Sequence, residues 1–427
     1  MNTAASNSKH SLPGPDDITR VELPNGITVL SRAASSSQTV VISGYVRAGA
    51  LSDPDEKLGL ADFTAAALMR GTERRSFSEI YDALESSGAS LGISAGVHTT
   101  SFHGKALGED LDLLLQLLFE ALSQPVFPPQ QVERLRSQIL TGLAIRAQDT
   151  GEMASLAFDR IVFAGHPYGR PQDGLPETVS RITREDLVAF HRSSFGPKGM
   201  VIAVVGAVDP GQAVEKVAAV LGSWENPDQD EPPALPPVRE LNGTVEEKVT
   251  LPGKSQADII LGALGPERRS ADYMAASLGN NILGQFGMMG RIGQSVREKA
   301  GLAYYASSSL AAGLGPGVWY VSAGVDPANV PRAIDLIRAE IRRFVSEKVS
   351  PEELQDSQEN YIGRLPLSLE SNAGVASALV KLERYQLGLD YYRNYEQMVR
   401  SVTPEDILET ARRYLDPDRL AVAIAGP

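Results

Sequence analysis

Residues 182–206 read "ITREDLVAFHRSSFGPKGMVIAVVG", and residues 402–426 read "VTPEDILETARRYLDPDRLAVAIAG". The two stretches align without gaps. Identical residues fall at Thr183/Thr403, Glu185/Glu405, Asp186/Asp406, Arg192/Arg412, Pro197/Pro417, Ala203/Ala423 and Gly206/Gly426, and apolar positions match between them. A weaker pair, "DLLLQLLFEALSQPVFPPQQVE" (112–133) and "AIDLIRAEIRRFVSEKVSPEEL" (333–354), lies at nearly the same separation. A repeat of this length is a duplicated domain, not a solenoid. Strand and helix patterns are mixed without a regular βαβ beat, which argues for α+β. The expected architecture is two homologous domains, each a mostly antiparallel sheet packed with helices. They face each other across a cleft, a usual place for a ligand.

Working outward, "TRVELPNGITVLSR" alternates apolar and polar residues around Asn25-Gly26, a signal for a two-residue hairpin turn. "TVVISGYVRAGA" is a further strand, and helical patterns follow near 58–70 and 76–87. "DLDLLLQLLFEAL" is apolar on nearly all sides and predicts a buried helix. A long helix is expected from Pro129 to Gln148, and "MVIAVVGAV" closes the half as a strand. Residues 226–243, "NPDQDEPPALPPVRELNG", carry prolines and acids without apolar periodicity. The expected division is a flexible tail (1–18), an N-terminal domain (19–225), a linker (226–243) and a C-terminal domain (244–427).

The chain has 427 residues, a formal charge of −13 and no cysteine. Disulfides, thiolate metal sites and a cysteine nucleophile are excluded. No basic cluster suggests nucleic-acid binding. The start, "MNTAASNSKHSLPGPDD", has no apolar core of signal-peptide length, and no run approaches the length of a membrane span, so a cytoplasmic protein without a membrane span is expected. The histidines are His10, His98, His103, His166 and His191, and no two are spaced i, i+3 or i, i+4. His166, in "GHPYGRP", reads as a histidine satisfying loop hydrogen bonds. No nucleophile elbow, Walker loop or dinucleotide fingerprint is present. A metal-independent Ser/His hydrolase therefore has nothing to single it out. "GQFGMMGRIG" (284–293) reads as a flexible or close-packed loop.

Several segments in order carry a family resemblance: "VELPNGITVL", "GLADFTAAALMRGT", "GHPYGRPQDGLPETVSRITREDL", "GMVIAVVG", "VREKAGLAYYASSSL" and the closing "LAVAIAG". Over about residues 19–427 the chain resembles the pitrilysin/insulinase family of zinc peptidases, the inverzincins. It is most similar to bacterial two-domain members and mitochondrial processing peptidase subunits. Active members carry H-x-x-E-H on a helix, where two histidines one turn apart hold zinc and the glutamate activates water. By that resemblance the first histidine falls on Asp62, the glutamate on Ala65, the second histidine on Ala66 and a later glutamate ligand near Gly142. None of these positions keeps the expected residue, so the resemblance implies a degenerate site with no metal bound by this chain.

The same resemblance gives the second half a role. Arg297 and Tyr304, in "REKAGLAYY", match an arginine–tyrosine pair that contacts substrate backbone and the carbonyl under attack. From the residues alone, Arg297 also reads as a charge at a helix C-terminus capped by Gly301. Arg291 and its loop resemble the glycine-rich segment of non-catalytic subunits. Ser94-Ala95, in "ISAGVHTTSF", occupy the edge strand on which family peptidases lay substrate, where active members usually have Asn-Ala. The resemblance implies a non-catalytic subunit that cleaves nothing alone. It would pair with a homologous zinc-bearing subunit and contact peptide substrates, with the zinc in the partner. The alternative is a structural subunit like the core proteins of respiratory complexes.

Overall fold

The computed structural model describes residues 12–34 and 37–427. His10 lies outside them. The first half carries strands β1 (Thr19–Glu22), β2 (Thr28–Ala33), β3 (Thr39–Val46), β4 (Ser90–Ala95), β5 (Thr100–Leu107) and β6 (Val201–Gly206). Its helices are α1 (Leu60–Ala67), α2 (Phe77–Ser86), α3 (Leu111–Ser123), α4 (Pro129–Arg146), α5 (Thr150–Val162), α6 (Pro176–Val179), α7 (Arg184–Ser194) and α8 (Pro210–Leu221). The second half carries β7 (Val245–Thr250), β8 (Ala257–Gly265), β9 (Ala303–Ala311), β10 (Gly317–Val325) and β11 (Ala421–Gly426). Its helices are α9 (Tyr273–Asn280), α10 (Val330–Phe344), α11 (Pro351–Ser368), α12 (Asn372–Arg384), α13 (Tyr391–Arg400) and α14 (Pro404–Tyr414).

The duplication is visible strand by strand. The first sheet has the order β1-β2-β6-β3-β5-β4 and the second β7-β11-β8-β10-β9. Without β1 the two orders superpose element for element. In each, one pair is parallel (β2 with β6, β7 with β11) and the others are antiparallel. The repeated stretches 182–206 and 402–426 fold as α7–β6 and α14–β11. Each helix begins with the same capping box, Thr183 with Asp186 and Thr403 with Asp406.

The turn after β1 differs from the expected two residues. Leu23 N–H still bonds the Ile27 carbonyl at 2.8 Å, so Pro24, Asn25 and Gly26 form a three-residue loop, with Gly26 at φ 90°. Asn25 spends its amide on the Leu221 and Trp224 carbonyls, which ties the loop to the end of α8. Part of the expected tail is also folded. Ile18 is buried against β2, β3 and β6, and Asp17 pairs with Arg32.

Each sheet alternates its side chains between two covered faces. Val29, Ile42, Ile202 and Val204 face a core with α1, α3, α7 and α8, while Leu30, Val41, Val201, Ala203 and Val205 face the other way. The continuous apolar runs of β6 and β11 follow from burial on both faces.

The helices covering the second faces are exchanged. Helix α12, from the second half, covers the first sheet with Val375, Ala376, Leu379 and Leu382. Helix α5, from the first half, covers the second sheet with Ala154, Ala157, Phe158 and Ile161 against Ile260, Val318, Ala421 and Ala423. The two halves are therefore interlocked by a reciprocal helix swap. Among the described residues no helix is long and apolar enough to cross a membrane.

Candidate functional site: a degenerate metal pocket and an exposed Arg/Tyr strand

Helix α1 is short and starts from Gly59 at φ 93°. Its N-terminus is capped from a distance. The buried Asp53 carboxylate accepts the Gly59 and Ala61 N–H groups at 3.0 and 2.9 Å. Burial raises the Asp53 carboxyl, and the Ala61 and Gly59 N–H bonds only partly offset this, leaving it near 7. Phe63 and Ala67 face the core. Asp62 and Ala66 stand one turn apart, Ala66 partly buried, and Ala65 is 1% exposed.

Helix α4 runs beside α1. Gly142 lies on its exposed side, and a Cβ there would meet nothing within 4 Å. One turn on, Arg146 pairs with Asp173 and donates to the Gly174 carbonyl at 3.0 Å. A cavity of about 330 Å³ opens at this junction, lined by Asp62, Ala95, Arg146, Asp159, Tyr168 and Arg170 among others. The Arg170 guanidinium is held by the carbonyls of Leu51 and Asp53 and by Asp55. His98 and the Tyr168 hydroxyl meet at 2.6 Å. Burial, with the Arg384 charge adding to it, lowers His98 to about 4, and burial raises Tyr168 to about 12.

The Asp62 and Asp159 carboxyls have no hydrogen-bond partner among the described residues. Burial, reinforced by the Asp173 charge, raises Asp62 to about 6, and burial alone raises Asp159 to about 6. These side chains do not fit a zinc ion. Ala65, Ala66 and Gly142 offer no donor atom. Among the described residues no three His, Cys, Asp or Glu side chains converge as a metal set. The described histidines are spent elsewhere. His166 accepts the Tyr168 N–H and bonds the Pro236 carbonyl, His103 meets Ser43, and His191 meets the Leu122 carbonyl.

Ser94 and Ala95 end β4, the edge strand of the first sheet, and Ala95 borders the cavity. In the second sheet the equivalent edge strand is β9, and it carries Tyr304. Pairing of β9 with β10 runs Ala306 to Ala323 and Tyr305 to Gly324, then skips to Ala303 and Val325. Tyr304 is the extra residue of a β-bulge, a device that re-aims a side chain, and it is 65% exposed. Arg297 is exposed on a π-helical segment, Gly293–Lys299, which is followed by Gly301 at φ 63°. Neither Arg297 nor Tyr304 meets a side-chain partner among the described residues, and neither lines the Asp62 cavity.

Arg291 behaves differently. It is 8% exposed and bonds Glu353 through two contacts of 2.7 and 2.8 Å. The Glu353 carboxyl is pushed up by burial, but the Arg291 and Ser350 hydrogen bonds outweigh this and hold it at about 2. Arg291 is therefore a structural tie between the glycine-rich segment and α11. Asp53, Asp159, Arg146, Tyr168 and Arg170 were not singled out by sequence reasoning. "GHPYGRP" counted for its histidine and as part of the family resemblance, and the Tyr and Arg beside that histidine were the available signal.

Among the described residues, the pocket at Asp62 offers carboxyls and no metal ligand set. Comparison with known proteins makes this specific. Residues 28–171 match the family model "Insulinase (Peptidase family M16)", and residues 181–361 match "Peptidase M16 inactive domain". The chain is 26% identical over 423 residues to an uncharacterized zinc protease of Streptomyces coelicolor, covering 97% of this chain and 90% of that protein. It is 30% identical over 209 residues to a probable mitochondrial-processing peptidase subunit beta of Arabidopsis thaliana, covering 49% of this chain and 39% of that one. A crystal structure described as a peptidase M16 inactive domain from Pseudomonas fluorescens superposes with a TM-score of 0.90 at 25% identity, over 96% of this chain and 98% of that one. A protease from Helicobacter pylori shares the fold, with a TM-score of 0.89 at 20% identity, over 97% of this chain and all of that one. The chain belongs to the insulinase (M16) peptidase family, with a degenerate metal site.

Proposed function

We propose that this chain is the non-catalytic, substrate-binding subunit of a heterodimeric zinc peptidase that cleaves peptides. A homologous partner would bring the zinc and its general base. This chain would bring Arg297 and Tyr304 to the partner's site. The observation that carries the reading is a contrast within one molecule. The position of the zinc site holds methyl groups and two unpaired carboxyls. Meanwhile Arg297 and Tyr304 stand exposed beside an open strand edge. An exposed guanidinium and phenol without partners are poor stability elements, whereas donors aimed at a developing oxyanion are what peptide hydrolysis uses. The edge strands β4 and β9 offer unpaired backbone groups to an extended peptide. The similarity to a processing-peptidase subunit and to inactive-domain proteins supports pairing with a peptidase chain.

The test is peptide cleavage and zinc content of the chain alone and together with a zinc-bearing homologue. The reading expects no zinc and no cleavage alone. It also expects turnover by the pair that falls when Arg297 is replaced by Ala. Zinc-dependent cleavage by the isolated chain would refute it. Association with a membrane complex, with turnover insensitive to Arg297, would favour the structural alternative.

A further inference from the structure

Directly beside the bulged Tyr304, a row of side chains crosses the second sheet. Tyr305 on β9 faces Gly324 on β10, and Gly324 faces Asp258 on β8. A Cβ on Gly324 would lie 2.5 Å from the Tyr305 ring, so the ring occupies the space that a side chain at 324 would take. This lets the Tyr305 hydroxyl reach past β10 and donate to the Asp258 carboxylate at 2.5 Å. Asp258 is 3% exposed. Gln256 donates to both of its oxygens at 3.0 and 3.1 Å, and the Thr150 hydroxyl, in the first turn of the swapped helix α5, donates to it as well. Among the described residues no cation pairs with this carboxylate. It is kept by neutral donors and the positive end of α5, so each donor is needed and the geometry is fixed.

We propose that the Tyr305–Asp258–Thr150 clasp fixes the bulge that aims Tyr304, making Tyr305 and Asp258 positioning residues for it. The proposal rests on the reading that Tyr304 serves the partner's active site. The clasp begins on a helix of the first half and ends at the strand edge of the second. It therefore sets Tyr304 relative to the whole interlocked body, not to one flexible strand. The same helix carries Glu152, Ser155 and Asp159 into the wall of the degenerate pocket, so it touches both regions.

Two measurements test this. In the pair with a zinc-bearing homologue, Tyr304→Phe is expected to lower kcat about 10²-fold, the scale of losing one oxyanion donor, and Tyr305→Phe about tenfold, with KM little changed in both. The double variant is expected to be no slower than Tyr304→Phe, because Tyr305 acts only through Tyr304. Full turnover by Tyr305→Phe, or losses that multiply in the double variant, would overturn the proposal. The second measurement needs no partner. With 3-fluorotyrosine in the full chain, the Tyr304 line is identified by its loss in Tyr304→Phe. Asp258→Asn, two strands away, is expected to shift or broaden that line while the melting midpoint stays within a few degrees. An unmoved line would overturn the clasp. A moved line with Tyr304→Phe fully active would keep the clasp and remove the functional reading of Tyr304.

Discussion

The Asp62→Asn exchange gives the most direct view of the degenerate pocket. Asp62 titrates near 6 in the folded chain, against about 3.9 for an aspartate in an unfolded chain. Between these values the folded state holds the extra proton. Folding stability therefore falls as the pH rises from about 4, and the loss is complete above the folded value. A difference of about two pKa units corresponds to roughly 3 kcal/mol. The carboxyl lines an open cavity and is not sealed in the core, and solvent screening reduces the expectation to about 1–2 kcal/mol. Asn keeps the shape and removes the charge. Urea unfolding should show Asp62→Asn more stable than the parent by about that amount at pH 8, with the advantage gone near pH 4. Asp159→Asn, whose carboxyl is raised by burial, should behave the same way. A variant less stable than the parent at pH 8 would refute the reasoning, because it would mean that a cation sits against this carboxylate.

Other substitutions probe the frame. Phe158 on α5 is buried under the second sheet and packs on Tyr320 with ring centroids 5.6 Å apart. Phe158→Ala should cost about 3–5 kcal/mol, and unfolding should remain a single transition because the exchanged helices couple the halves. Arg291→Ala breaks the part-buried pair with Glu353 and should cost about 1–3 kcal/mol at pH 7, read by denaturant titration. The depressed Glu353 carboxyl makes that pair's contribution present above its unfolded value, so the cost should shrink as pH falls toward about 2. Gly142→Ala, with open space around its Cβ in an exposed helix, should raise stability by about 0.5–1 kcal/mol.

Much of the fold was legible in the sequence because duplication repeats its signals. The Thr183 and Thr403 helices and the all-apolar strands after them announce the same unit twice, and their continuous burial explains why those strands lack alternation. The helix exchange was not legible. The apolar faces of α5 and α12 record that they are covered, but periodicity does not say by which sheet. The three-residue loop at Asn25-Gly26 departed from its local signal because Asn25 is recruited by the distant carbonyls of Leu221 and Trp224. At the site, that Ala65, Ala66 and Gly142 carry no donor atom could be read directly, because it follows from residue type. The raised carboxyl of Asp159 could not, because it arises from the cavity wall and not from any neighbour in sequence. The bulge at Tyr304 likewise exists only in the pairing of β9 with β10.

The central claim is that this chain serves a metal site held by another subunit. The most direct measurement is steady-state turnover of a peptide by a zinc-bearing homologue titrated with this chain. Parent, Arg297→Ala and Tyr304→Phe forms are compared at saturating and matched binding. The account expects turnover to appear only with the parent chain and kcat to fall about 10²-fold with Arg297→Ala, the scale of losing one oxyanion donor. Zinc should remain only in the homologue. Equal kcat for the parent and Arg297→Ala forms, or zinc-dependent cleavage by this chain without the homologue, would contradict it.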